Sequence, residues 1–228
     1  MSGQLRVPRH LAVVPDGNRR WARARGLTAA EGHRSGIANV GRVAEAAWTA
    51  GVETFTFWWG SPANLQLREE AEIESILGCL GNWLARDGAA LLRRVGAAFQ
   101  VHGRWREICP EIEPALQAAQ AASGPWPRTL VLLLAYDGRD EIRDAARRLR
   151  GGGPDDEAFG RALWTGALPP VDLVVRTGGE PHLSAGFLLW QIAEAQLEFS
   201  QLLWPDYSAD ALRETLARHA ATERRFGR

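Results

Sequence analysis

Val13-Val14-Pro15-Asp16-Gly17-Asn18-Arg19-Arg20-Trp21 is the stretch on which the reading of the whole chain turns. Leu11 to Val14 is an apolar run of strand length, and Pro15 and Gly17 stop it. Asp16, Asn18 and Arg20 are then left on a loop at the strand's carboxyl end, where open α/β sheets place their ligands. A loop that opens into a helix offers unpaired N–H groups to an anion, and Arg19 and Arg20 add charge, so a phosphate is the expected guest. Asp16 suits such a site if a divalent cation such as Mg2+ lies between it and the phosphate. Taken alone, Asp-Gly-Asn is also an ordinary turn.

The 228 residues suffice for one well-filled α/β domain, expected to span residues 1–228. Lys and Arg number 27 against 27 Asp and Glu, which argues against a nucleic-acid-coating role. Cys79 and Cys109 stand alone, without metal-ligand spacing, and neither a signal peptide nor a membrane-length apolar run is visible; a cytoplasmic protein is expected.

Strands alternate with helices along the rest of the chain, which predicts a mostly parallel sheet covered on both faces. A helix is expected from Gly36 to Ala50 and a strand from Thr54 to Trp58, whose end loop brings Ser61 and Asn64 to the same edge as Asp16. From Glu69, the residues Ile73, Ile76, Leu77, Leu80 and Leu84 follow helical spacing. Ala97 to His102 and Leu130 to Leu134 read as strands around a helix from Glu111 to Ala122, with Tyr136 and Arg139 on another strand-end loop. A helix from Arg139 to Arg150 meets a flexible linker at Gly151–Pro154, followed by a short helix to about Trp164. Val171 to Val175 reads as a strand leading to Arg176. Phe187–Gln191 and Gln196–Phe199 hold a further strand or turn, and Ser208 caps a last helix through Ala221.

The strand-end loops thus gather Asp16, Asn18, Arg20, Ser61, Asn64, Tyr136, Arg139, Arg176 and Ser184, a polyanion site with a single metal-type carboxylate. Neither a phosphate-binding lysine loop nor a dinucleotide glycine fingerprint is present. The strings DGNRRWARARG, VDLVVRTGGE, FLLWQ, LWPD and ERRFG, in this order across nearly the whole length, resemble the cis-prenyltransferases, the undecaprenyl diphosphate synthase family. That resemblance implies a homodimer of single α/β domains, each with a hydrophobic tunnel above the sheet. It implies Mg2+ as the metal, an allylic diphosphate on the first loop with isopentenyl diphosphate beside it, and a new cis double bond. By the same resemblance, Asp16 matches the metal and diphosphate aspartate, and Gly17, Asn18, Arg19, Arg20, Trp21 and His33 match the allylic diphosphate cradle. Ser61 and Asn64 match the polar pair near the reacting carbons. Arg176, His182 and Ser184 fall at the isopentenyl diphosphate site, and Arg225 in the tail is expected to reach a neighbouring subunit's site.

Several positions depart from the family pattern. Gln196 stands where the family has a metal-binding glutamate, leaving Glu194 or Glu198, two residues to either side, as replacements. His182 replaces an arginine, Ala185-Gly186 carries one extra residue, and Ala29, Ala63, Leu65, Leu67 and Ala71 replace larger or charged residues. Trp59 stands where the family has a small residue at the tunnel, so a short product is expected. The expected activity is prenyl transfer from a short allylic diphosphate to isopentenyl diphosphate, giving a short-chain Z-prenyl diphosphate. Cyclisation or irregular coupling of the donor is one alternative, and a non-catalytic partner subunit is another.

Overall fold

A computed structural model describes residues 7–124, 127–149 and 155–222. The chain opens with β1 (His10–Val14), α1 (Asn18–Arg23), α2 (Ala29–Thr49), β2 (Thr54–Trp59), α3 (Pro62–Gln66) and α4 (Glu70–Trp83). One π turn, Leu84–Gly88, carries α4 into α5 (Ala89–Val95). Then come β3 (Ala98–His102), α6 (Trp105–Ile108), α7 (Glu113–Ala121), β4 (Thr129–Leu134), α8 (Gly138–Arg148), α9 (Asp156–Ala162), β5 (Leu173–Arg176), β6 (Gln196–Phe199) and α10 (Ala209–Ala221).

Six strands form one sheet in the order β3-β4-β2-β1-β5-β6, every neighbouring pair parallel. All five residues of β1 are buried, as befits a strand flanked by β2 (Leu11 opposite Phe55) and β5 (Leu11 opposite Leu173) and covered on both faces. Alternate residues feed two layers. Leu11, Val13, Phe55, Phe57 and Trp59 pack with Ile37 and Val40 of α2 and Leu77 and Leu80 of α4. Ala12, Val14, Val131 and Leu133 pack with Tyr136, Phe187 and Leu188 on the other face. Since β2 lies on one side of β1 and β5 on the other, the loops leaving β1 and β5 open a crevice at the sheet's carboxyl edge, the switch point where such folds bind ligands.

Several boundaries differ from the sequence expectation. Helix α2 begins at Ala29, seven residues before Gly36, because Thr28 and Glu31 form a reciprocal capping box. Gly32 and Gly36 lie inside this helix, where they let α1 press against α2. A Cβ on Gly36 would lie 2.2 Å from Asn18 Oδ1, and one on Gly32 would lie 2.4 Å from the Asn18 carbonyl oxygen. Residues 185–194 form successive turns, so of the two late apolar runs only Gln196–Phe199 is a strand. The linker at Gly151–Pro154 and the tail with Arg225 lie outside the described residues. Among the described residues, no helix is long and apolar enough to cross a membrane.

Candidate active site

Asp16 follows β1 and Arg176 ends β5, and the switch point brings them together: Arg176 Nη2 donates to Asp16 Oδ2 over 2.9 Å. The Arg176 side chain is almost fully buried. Its Nη1 donates to the His182 carbonyl (2.6 Å) and to Ser184 Oγ (2.9 Å), so one guanidinium ties the loop after β1 to the loop after β5. A cavity of about 620 Å³ opens over this junction, lined by Asp16, Gly17, Asn18, Arg19, Arg20, His33, Trp58, Trp59, Ser61, Asn64, Arg68, Asp137, Arg176 and Ser184 among others. Four arginines face two aspartates in that wall, an excess of positive charge suited to a polyanion.

On the β1 side, Gly17 holds a positive φ of 105° and lies against Leu203, where a Cβ would come within 2.8 Å of Cδ2. Asn18 Nδ2 donates to the Pro15 carbonyl (3.2 Å), while its Oδ1 is buried without a partner. Arg20 lies between two carboxylates, 3.6 Å from Asp16 and 3.8 Å from Glu180. His33 is carried into the wall by α2 and makes an edge contact with the Trp59 ring at 6.3 Å. Burial first, and the nearby Arg68 cation second, push its pKa down to about 4. It is therefore neutral at neutral pH. On the β2 side, Ser61 and Asn64 form a second capping box: Asn64 N–H donates to Ser61 Oγ (3.1 Å) and Ser61 N–H to Asn64 Oδ1 (3.3 Å). That exchange fixes both side chains on the first turn of α3 and leaves the Asn64 Nδ2 donors available.

Two charged residues of this site were missed in the sequence. Arg68 and Glu72 stand one position beyond Leu67 and Ala71 and pair at 3.2 Å, from the bend before α4 to its first turn. Arg68 lines the cavity, whereas Leu67 is 84% exposed. Glu72 also lies 3.5 Å from Arg19 and 3.9 Å from His33, tethering the cationic rim. The signal available was the Arg68–Glu72 spacing itself, hidden by counting residue for residue through the break between α3 and α4. Asp137, likewise unforeseen, lines the cavity while its Oδ1 caps α8 by accepting from Arg139 N–H (2.8 Å).

Other expected residues lie elsewhere. The Trp21 indole donates to Asp206 (2.7 Å) under the stacked Arg25 guanidinium and does not line the cavity. The His182 ring is exposed and reaches the site only through its carbonyl. Tyr136 is buried in the opposite layer, its hydroxyl donating to Glu141, and Arg139 is not in the cavity wall. Of the three candidates for a second metal ligand, Gln196 Oε1 lies 2.9 Å from His219 Nδ1 and Glu198 pairs with Arg218 at 2.6 Å. Glu194 sits in the turns before β6, facing a separate hollow with Trp190, so the alternation of a strand does not apply to it. Asp16 thus remains the carboxylate of the phosphate loop. Among the described residues, no three His, Cys, Asp or Glu side chains form a ready-made metal site. One carboxylate completed by substrate phosphate oxygens is nonetheless a sufficient protein contribution for Mg2+, so the residues present fit that ion.

Residues 14–227 match the family model described as putative undecaprenyl diphosphate synthase. A ditrans,polycis-undecaprenyl-diphosphate synthase ((2E,6E)-farnesyl-diphosphate specific) of Pseudomonas putida is 38% identical over 97% of this chain and 91% of its own length. An isoprenyl transferase of Geobacter sulfurreducens is 35% identical over 98% and 94%. Among solved structures, lavandulyl diphosphate synthase from Lavandula x intermedia, in complex with dimethylallyl diphosphate, superposes with a TM-score of 0.90 at 30% identity, covering 97% of this chain and 99% of that one. With its parallel sheet, its switch-point cavity and its motifs in family order, this chain belongs to the undecaprenyl diphosphate synthase family of prenyltransferases.

Proposed function

We propose that this protein transfers the prenyl group of a short allylic diphosphate to isopentenyl diphosphate, giving a short-chain Z-prenyl diphosphate. The observation that carries this reading is the Arg176 bridge, which sets a donor loop (residues 16–20) and an acceptor loop (residues 182–184) on one cationic cavity whose inner wall is Trp59. In the reaction the allylic C–O bond breaks and its electron pair leaves with the diphosphate. The terminal double bond of isopentenyl diphosphate then attacks the allylic carbon, and the resulting cation loses a proton to the departing diphosphate, forming the new double bond. Gly17 and Asn18 offer the loop's polar groups to the donor diphosphate, and Arg19, Arg20 and Arg68 neutralise charge as the C–O bond lengthens. Arg176 and Ser184 hold the acceptor diphosphate. Ser61 and Asn64, fixed by their mutual capping bonds, line the space between the two. Neutral His33, Trp58 and Trp59 keep water from the allylic cation and offer it ring faces. Asp16 would hold Mg2+, which supplies further charge neutralisation to the leaving diphosphate when bound.

Product analysis tests the proposal. The purified protein is given dimethylallyl, geranyl or farnesyl diphosphate, each with and without isopentenyl diphosphate and Mg2+. Longer diphosphates that require both additions support it; turnover of the allylic diphosphate alone overturns it. That second outcome is the mark of irregular coupling, a reading favoured by the likeness to lavandulyl diphosphate synthase together with the exposed His182 ring at the acceptor loop.

The functional unit is proposed to be a cytoplasmic homodimer. Leu189, Trp190, Leu197 and Leu202 are each 40–44% exposed on β6 and its flanking turns, and β6 is a sheet edge with an open hydrogen-bonding side. Leu197→Asp is expected to convert the dimer to a monomer in light-scattering chromatography; an unchanged mass would refute this interface.

A further inference from the structure

Behind the cavity the apolar layer is closed by two indoles in series. Trp59 is only 5% exposed, and its Nε1 is buried without a partner, so shape rather than hydrogen bonding fixes its place. Phe57, two residues back along β2 from the cavity end, meets it edge to face at 6.5 Å, and Trp83 in turn meets Phe57 at 6.3 Å. The cavity wall reaches Trp59, Leu65 and Ile76, and neither Phe57 nor Trp83 is part of it.

Trp83 ends α4, immediately before the π turn, and its indole is wedged between two glycines. A Cβ on Gly41 would lie 3.3 Å from Trp83 Cζ2, and one on Gly88 would lie 3.0 Å from Cζ3. Glycine at both positions is what lets an indole rather than a smaller side chain fill the space between α2 and α4. Trp59 therefore has a rigid second ring system behind it. A prenyl tail that displaced Trp59 would still meet Phe57 and Trp83.

We infer that Trp83 is a second length-determining residue, placed in series behind Trp59, so that the accepted prenyl tail is bounded twice. The inference rests on the proposed prenyl transfer. It requires the two positions to act in order: Trp83 matters only once Trp59 has been removed.

The test uses the full-length protein and leucine variants, which keep an apolar filling. With geranyl diphosphate, isopentenyl diphosphate and Mg2+, Trp83→Leu is expected to give the wild-type product length. Trp59→Leu is expected to give a product roughly one isoprene unit longer, since a nine-atom indole yields to a four-carbon side chain and a close-packed interior passes the space on. The double variant is expected to extend the chain again. The inference is overturned if Trp83→Leu alone lengthens the product as much as the double variant does, or if the double variant makes nothing longer than Trp59→Leu. Because Trp→Leu exchanges can loosen the fold, each variant is checked by its melting transition and by its KM for dimethylallyl diphosphate, which the shortest tail should leave within about twofold of wild type. Should no isopentenyl-dependent product form in any variant, the proposed transfer fails, and the order of the two stops is still decided by binding. Affinity for farnesyl thiodiphosphate, a non-ionising donor, is expected to rise from wild type to Trp59→Leu and again to the double variant, with Trp83→Leu unchanged; equal affinities in all four would overturn the inference.

Discussion

Replacing Arg176 by lysine isolates what the buried guanidinium does. Arginine satisfies three acceptors at once, the His182 carbonyl at 2.6 Å, Ser184 Oγ at 2.9 Å and Asp16 Oδ2 at 2.9 Å, from two nitrogens set at a fixed angle. A lysine ammonium keeps the charge but is a single point, and its strongest attraction is to Asp16. The loop carrying Ser184 then loses two charge-assisted hydrogen bonds, each worth about 1.5 kcal/mol or more at a buried donor. Roughly 3 kcal/mol of loop positioning corresponds to about a 100-fold fall in kcat/KM for isopentenyl diphosphate. The donor loop, held through α1 and Gly17, is untouched, so KM for the allylic diphosphate is expected to stay within about threefold of wild type. Steady-state kinetics with each substrate varied in turn separates the two effects. A lysine variant with unchanged kcat/KM for isopentenyl diphosphate, or with both substrates weakened equally, refutes the bridge argument.

Three further outcomes follow from local geometry. Gly36→Ala places a methyl 2.2 Å from Asn18 Oδ1, so α1 must move off α2; a loss of about 1–3 kcal/mol in denaturant unfolding is expected, with a raised KM for the donor, and unchanged stability would contradict the packing. His10, with Nδ1 2.8 Å from the Pro169 carbonyl and Nε2 2.7 Å from Thr56 Oγ1, is held by burial at a pKa of about 4. The unfolded chain, with a histidine pKa near 6.5, binds the proton first as pH falls, so this contribution is complete above about pH 6.5 and lost down to about pH 4, a change of about 3 kcal/mol; His10→Gln should show a flatter melting profile over that window, and parallel profiles would refute it. Gln196→Glu puts a carboxylate beside His219 Nδ1 rather than in the cavity, so the Mg2+ requirement of turnover is expected not to change; a lowered half-saturating Mg2+ concentration would place that strand in the metal site after all.

Legibility in the sequence followed how local each signal was. β1 and β4 were readable as short, nearly continuous apolar runs, and β2 as a run of threonine and aromatic residues that ends at Gly60. Asp16, Asn18, Arg20, Ser61, Asn64 and Arg176 were readable because each sits at or within six residues of a strand end, and a parallel sheet sends all such ends to one edge; Ser184, eight residues past β5, was readable through the resemblance. What failed was whatever depended on a partner distant in sequence. The helix was expected to start only at Gly36 because the reason for Gly32 and Gly36 inside it, the Asn18 backbone and side chain pressed against them, lies on another helix. Tyr136 belonged to the opposite layer because Glu141, one helical turn on, takes its hydroxyl. Arg68 and Glu72 were hidden by a one-residue change of register, and Glu194 was given strand alternation where the chain is still turning.

The charge of the cavity carries one consequence for how the two substrates share it. Its wall holds four arginines and two aspartates with a neutral histidine, and Arg176, the buried member, is already paired to Asp16. One diphosphate ester matches or exceeds that positive excess, so a second one enters a site that has become negative. His33, held neutral, does not make up the deficit at neutral pH. If Asp16 holds Mg2+ as proposed, the remaining charge comes from that ion, and the acceptor, arriving second, depends on it more steeply than the donor does. KM for isopentenyl diphosphate is accordingly expected to fall several-fold as free Mg2+ is raised through the millimolar range, while binding of a non-ionising donor changes by less than about twofold. Equal Mg2+ dependence for both would mean that the arginines are not exhausted by the first diphosphate, and would refute this ordering.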